Sequence, residues 1–351
     1  MSDPAGTLVR ALRRTGLHRV GTRPDRWVDD HGAAVVDPVV LARLSALALP
    51  PAWSDVWASS DAGARVQATG VDARGRTQYR YSADALDLAA RDKFHHVLDF
   101  GAGLPELRAH VQAHLDPEDG DRPSVRRATA AVVRILDRGL LRVGNGRYAR
   151  DNHTYGLTTL AAEHVAVHGP AIEFAFVGKE HRPWHVVLED APVAAVIGEL
   201  LAHAQAPSAP LFAVGLPGRR QEVTSAAVNA YIHGLTRVAA SAKTFRTWGG
   251  TAIAAAVAAG ATADGIAHSR RADLAPVDVA AAMLGNTRAV ARASYVHPAA
   301  IEAGRSPEVV AAVDAAAERL GSRDVHAVLD DPAVVRAVAE RLGVANASSG
   351  A

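Results

Sequence analysis

The sequence predicts an α+β protein: a small β-rich domain over residues 1–88, then a larger, mainly helical domain over residues 89–351 whose last part, about 300–351, forms a C-terminal helical extension. Two observations lead there. A chain of 351 residues that is 49% apolar can fill two cores, because single domains commonly run to about 100–200 residues. The patterning also changes near residues 85–90, where short apolar runs broken by turn residues give way to apolar residues at helical spacing.

The β-rich reading rests on Arg26 to about Tyr81, with Pro50-Pro51-Ala52-Trp53, Val56-Trp57, Gln67-Ala68-Thr69-Gly70 and Gln78-Tyr79-Arg80-Tyr81. From Ala83 onward Leu86, Leu88, Phe94, Val97, Leu98, Leu104 and Leu107 are expected to share one helical stripe. Ser124–Leu141 and Ala191–Gln205 read as helices, the second with Pro192 where a first turn tolerates it. Ile172–Val177 and Trp184–Leu188 flank Gly178-Lys179-Glu180 as two strands flank a turn. Ser225–Ala240, Phe245–Ala259, Pro276–Leu284 and Thr287–Tyr295 are helix-compatible, Ala299–Leu342 continues so, and Ala347–Ala351 reads as a frayed tail.

Composition excludes several classes. There is no cysteine, so neither a disulfide framework nor a thiolate zinc site is open to the chain. No long apolar run follows the N-terminal arginines, and Thr251–Ala261 is too short to cross about 30 Å of hydrocarbon, so an intracellular protein without a membrane span is expected. No phosphate-cradling glycine loop, His-Glu-x-x-His or calcium loop is present, and Gly215 and Gly218 beside Arg219 and Arg220 read as a turn. Net charge is only +1, but it is regional. Six arginines face two acids from Met1 to Trp27, eight face two from Asp121 to Arg150, and acids collect after Glu302, which is the distribution an electrostatic footprint needs.

Only three of 38 basic residues are lysine: Lys93, Lys179 and Lys243. Lysine, unlike arginine, can give up its proton. Two of the three fall in a series of five short segments: Gln78-Tyr79-Arg80-Tyr81; Leu141-Arg142-Val143-Gly144-Asn145 with Arg147-Tyr148; Phe176-Val177-Gly178-Lys179; Lys243-Thr244-Phe245-Arg246-Thr247-Trp248; and Leu284-Gly285-Asn286-Thr287 followed by Ser294-Tyr295-Val296-His297. In order and content these resemble the type IB DNA topoisomerases in their compact bacterial and poxvirus-like form, from about Arg26 to Pro298.

That resemblance implies a clamp of two domains around double-stranded DNA, acting as a monomer in the bacterial cytoplasm on the nucleoid, with no cofactor, no ATP and no obligatory metal. It implies that Tyr295 is the nucleophile, Arg142 and Arg246 the phosphate-binding arginines, Lys179 the general acid and Asn286 a further phosphate contact, with Gln78, Tyr79, Tyr81, Tyr148 and Lys243 touching DNA. Lys243 and Arg246, three apart, would share a helix face. Two departures stand out. Asn286 occupies a place where viral and eukaryotic relatives carry histidine; asparagine can donate a hydrogen bond but cannot carry a proton's charge, so slower or pH-shifted chemistry is expected. The hairpin turn reads Glu180-His181-Arg182 instead of a glycine- and lysine-rich form. His297 is expected to be a surface residue.

The chemistry suits the residues. A tyrosine with an ordinary pKa near about 10 needs cations to ionise and to offset charge on a phosphodiester under attack, and a departing 5′ oxygen needs a proton. A tyrosine recombinase shares this logic but usually shows His-x-x-Arg where this chain has Lys243-Thr244-Phe245-Arg246. A DNA-binding protein of the same fold without catalysis is the other alternative, which the two departures keep open.

Overall fold

Short β-favouring runs in the first eighty residues pair into a five-stranded antiparallel sheet, order β2-β1-β3-β4-β5, from β1 (Leu17–Val20), β2 (Arg26–Asp29), β3 (Ser54–Ala58), β4 (Val66–Val71) and β5 (Thr77–Tyr81). The computed structural model describes residues 13, 15–21, 26–117, 123–216, 218–236, 238–264, 266 and 268–349. It divides into two units, Met1–Lys93 and Phe94–Ala351. In the first unit, helix α1 (Pro38–Ala46) is started by Asp37, whose side chain accepts the Val39 N–H at 2.8 Å. Leu44 from this helix joins Leu17, Trp27, Trp53 and Val56 in a small core.

Two of the six N-terminal arginines are engaged by neighbouring groups. Arg13 bonds Thr69 and pairs with Asp55, and Arg19 donates to the carbonyls of Pro50 and Trp53. These two cations are engaged within the unit that carries them, while Arg10, Arg14 and Arg23 lie outside the described residues.

Helix α2 (Ala83–Leu115) contains the expected boundary at residue 88. The expected stripe begins later than its first leucines: Leu86 and Leu88 are 55% and 53% exposed, whereas Phe94, Val97, Leu98, Leu104 and Leu107 are buried. Residues two apart on a helix point in different directions, so Leu86 and Leu88 could not both face one core.

The second unit is mainly helical. Helix α3 (Val125–Gly139), capped by Ser124 at the Arg127 N–H, is buried along most of its length. A short helix α4 (Gly146–Asn152) precedes a three-stranded sheet, order β6-β7-β8, of β6 (Val165–His168), β7 (Ala171–Gly178) and β8 (Arg182–Glu189). The β7–β8 register, Phe176 opposite Trp184 and Gly178 opposite Arg182, puts Lys179 at the turn. Helix α5 (Ala191–Ala202) follows, then β9 (Ala213–Val214) and β10 (Gln221–Glu222), a small hairpin around the turn expected at Gly215 and Gly218.

Helix α6 (Ser225–Leu235) follows, and α7 (Ala242–Ala258), α8 (Ala275–Met283) and α9 (Arg288–Ser294), with the end of α3, position the site. Beyond them run α10 (Ala300–Gly304), α11 (Pro307–Leu320), α12 (Val325–Asp330) and α13 (Pro332–Ser349), so the tail read as frayed is helical to Ser349. These last helices bury Val309, Val313, Val325, Val328, Val334, Val338 and Leu342 in the same core as α3 and α7.

Three arginines of the second basic region are also paired with acids. Arg127 pairs with Glu199, Arg134 with Asp190, and Arg138 with both Asp190 and Asp330. Charge segregated along the chain is thus interleaved in the fold. No helix among the described residues is long and apolar enough to cross a membrane.

Candidate active site

Arg142 leaves α3 through a left-handed turn at Leu140, φ 49°. The backbone then runs beside Leu157 and Thr158, whose N–H groups donate to the carbonyls of Arg142 and Val143, each at 2.8 Å. With its main chain fixed this way, the half-buried Arg142 donates from Nη2 to Asn286 Oδ1 at 3.1 Å.

Helix α7 supplies the second arginine. Its first turn is closed by Thr244, whose hydroxyl accepts the Ser241 N–H at 3.0 Å. Phe245 packs edge-on against Phe100, ring centres 4.9 Å apart, and Trp248 is buried one turn further on. Arg246, between them, is only 3% exposed. It donates to Leu140 O, and from Nη2 to Leu284 O at 2.8 Å, so one guanidinium ties the exit of α3 to the end of α8. Its central carbon lies 5.0 Å from the centre of the Tyr295 ring. Burial and the nearby Arg142 charge push the Arg246 pKa down to about 10, which still leaves it a cation at neutral pH. Arg246 Nε and Asn286 Nδ2 are buried donors with no hydrogen-bond partner among the described residues.

Tyr295 sits one residue past α9, half-buried. Close approach to α7 is possible because Gly250 has no side chain: a Cβ there would lie 2.9 Å from Leu284 Cδ1 and 3.3 Å from Tyr295 Cβ. Thr251, fully buried, holds the same segment. Its hydroxyl accepts the His297 N–H at 3.0 Å and directs its one hydrogen toward two carbonyls, Thr247 O at 2.8 Å and Tyr295 O at 3.1 Å. Burial opposes ionisation of the phenol, yet Arg246, by charge and hydrogen bonding, and the charges of Arg142 and Lys243 outweigh it and hold the Tyr295 pKa below its ordinary value.

His297 is not the expected surface residue. It is 5% exposed, its Nδ1 accepts the Ala299 N–H at 3.1 Å, and its ring packs edge-on against Phe94 at 4.7 Å. The alternation of a short loop gave no means of telling which side of Tyr295 would face the core.

Four of the five expected catalytic residues therefore meet: Arg142, Arg246, Asn286 and Tyr295. Lys243 is exposed one turn before Arg246, with its charge felt at Tyr295 as the shared helix face requires. Lys179 stands apart, exposed at the β7–β8 turn without a hydrogen bond or ion pair among the described residues. The two residues after it, Glu180 and His181, hold left-handed φ of 66° and 55°, a conformation that glycine would adopt without strain.

In the first unit, Tyr79 and Tyr81 share one face of β5 with stacked rings 6.0 Å apart. Gln78 lies on the other face and donates to Asp72 at 2.9 Å, so the three do not form one surface. The side chain of Tyr148, on α4, lies outside the described residues. Among the described residues no cluster of histidine and carboxylate side chains is placed to hold a metal ion. Sequence reading missed Thr251 and Gly250; the pair Gly249-Gly250 inside a helical pattern was the available signal, since glycine there costs stability unless another backbone must come close.

A family model described as the catalytic core of eukaryotic DNA topoisomerase I matches residues 85–313, and one described as the N-terminal domain of bacterial DNA topoisomerase IB matches residues 26–72. The chain belongs to the type IB DNA topoisomerase family. DNA topoisomerase 1B of Acanthamoeba polyphaga mimivirus is 33% identical to it over 142 residues, 40% of this chain and 40% of that relative. The match thus spans well under half the length of the viral protein. Arg142, Lys179, Lys243, Arg246, Asn286 and Tyr295 all fall within the catalytic-core match, and the sheet unit followed by a mainly helical core is the organisation of a type IB topoisomerase. Gln78, Tyr79 and Tyr81 fall between the two matched regions.

Proposed function

We propose that this chain relaxes positive and negative supercoils in double-stranded DNA by transient cleavage of one strand through Tyr295. The observation that carries this reading is the convergence of three cations on one phenol, with the buried donors Arg246 Nε and Asn286 Nδ2 left over for a ligand's oxygens. Tyr295 Oη attacks phosphorus, the P–O5′ bond breaks, and the departing O5′ takes a proton from Lys179 Nζ. Arg142 and Arg246 bind the nonbridging oxygens, where one such contact is worth about 10²–10³ in rate.

The 3′-phosphotyrosine keeps the energy of the broken bond, so the 5′ hydroxyl can reverse the attack after the duplex has turned, without ATP. Tyr79 and Tyr81 contribute DNA contacts from the sheet unit, Lys243 from α7 and Tyr148 from α4. The enzyme works as a monomer in the bacterial cytoplasm; membership of a family with a bacterial N-terminal domain supports that setting.

The test is relaxation of a negatively supercoiled plasmid in EDTA without ATP, by the chain and by Tyr295→Phe. The expected result is relaxation by the unaltered chain alone, with protein joined to a 3′ DNA end after detergent trapping. Binding with neither relaxation nor adduct would leave only a DNA-binding protein of this fold.

A further inference from the structure

We infer that Trp184 is a positioning residue that sets the turn bearing Lys179 against the pair Arg142 and Asn286; this rests on the activity proposed above. Trp184 stands at the start of β8, half-buried, stacked on Phe176 of β7 with ring centres 6.2 Å apart and planes 5° from parallel. Its indole lies between two glycines. A Cβ on Gly178 would come within 2.7 Å of Trp184 Cδ1 and Nε1, at the five-membered ring. A Cβ on Gly285 would come within 2.4 Å of Cη2 and Cζ2, at the opposite edge. Gly178 immediately precedes Lys179, and Gly285 immediately precedes Asn286. The Arg142 guanidinium carbon lies 5.9 Å from the indole centre while that side chain donates to Asn286.

One rigid plate therefore touches the backbone beside two of the proposed catalytic residues and lies under the guanidinium of a third. An indole has only two side-chain torsions, and a guanidinium lying near its face loses orientations that would waste its planar fork. Lys179 needs such a reference, because no hydrogen bond or ion pair among the described residues holds its side chain. A displacement of about 1 Å at a reacting group costs on the order of 10²-fold in rate. Trp184 touches no reacting atom, so its effect is through Lys179 and Arg142.

The test is single-turnover cleavage by the full chain, with Trp184→Ala and Trp184→Phe, on two duplexes that differ only in the 5′ bridging atom of the scissile phosphate. With oxygen, the P–O5′ bond breaks and O5′ needs a proton. With sulfur, the P–S5′ bond breaks and a stable thiolate leaves without one, so the general acid is bypassed. Trp184→Ala is expected to cleave the oxygen substrate about 10²-fold more slowly at unchanged DNA affinity, and to recover most of that loss on the sulfur substrate. The residual loss reports Arg142. Trp184→Phe keeps the stack on Phe176 but cannot reach both glycines, so it is expected to fall between, with the same preference for sulfur. Equal losses on both substrates would overturn the link to Lys179, and unchanged cleavage by both variants would overturn the role altogether. Failure of the unaltered chain to cleave either duplex would instead remove the proposed activity, and this inference with it.

Discussion

At Arg246 a guanidinium that is 3% exposed keeps its charge with two carbonyls as hydrogen-bond acceptors and an arginine and a tyrosine as neighbours. Taking a cation out of water is costly, and the surrounding fold carries that cost for the sake of the charge delivered at Tyr295. The sign of the consequence can be worked out. A phenol whose pKa is held below its ordinary value has more phenolate at any pH below that value, so cleavage should rise with pH as Tyr295 ionises. Removing Arg246 takes away the largest charge that favours ionisation, so the pKa moves up and the rising limb moves to higher pH. Arg246→Ala is therefore expected to lower single-turnover cleavage at neutral pH by at least about 10²-fold. A pH–rate profile that drops in amplitude without moving would show that Arg246 binds phosphate but does not help ionise Tyr295.

Elements matter here chiefly through how they meet. Helix α3 delivers Arg142 at its end, and its own last turns are tied to the C-terminal helix α12. Arg108 from α2 forms a two-pronged pair with Asp137 of α3, at 2.8 and 3.1 Å, and donates to Leu329 O of α12 at 2.6 Å. Asp137 is only 7% exposed in that pair. Truncating one partner of a buried pair strands the other, which costs roughly 3–5 kcal/mol. Arg108→Ala should therefore lower the free energy of urea unfolding by roughly that much. Joint replacement by apolar residues, Arg108→Met with Asp137→Leu, should recover most of it. A loss below about 1 kcal/mol, the range of a surface pair, would show that water already reaches Asp137. None of this was legible in the sequence. Arg108 and Asp137 are 29 positions apart on two different helices, and nothing local in the sequence pairs them. The helices themselves were legible from apolar spacing and from Pro192 at a first turn, because those signals are local.

Across the whole molecule, the chemistry of the site could be read from residue types in a fixed order, whereas its geometry could not. Arg142, Arg246, Asn286 and Tyr295 are spread over more than 150 positions and meet only because α3, α7, α8 and α9 pack together. His297 and Trp184 took their importance from that packing, which no local pattern encodes. The C-terminal stretch is the largest case. Its acids marked it as an extension, but its valines and Leu342 lie in the same core as α7. Fully burying one such side chain is worth about 1.5–3 kcal/mol, while a domain is stable by only about 5–15 kcal/mol in all. Losing Val309, Val313, Val325, Val328, Val334, Val338 and Leu342 together is therefore on the scale of the whole margin. Leu329 O and Asp330, which bind Arg108 and Arg138, would go with them. A chain ended after Arg305 is expected to lack cooperative thermal unfolding by circular dichroism and to be cut by protease within α7 and α8, although every proposed catalytic residue is still present. Retention of the full-length unfolding temperature by that shortened chain would show that α11, α12 and α13 merely rest on a core complete without them.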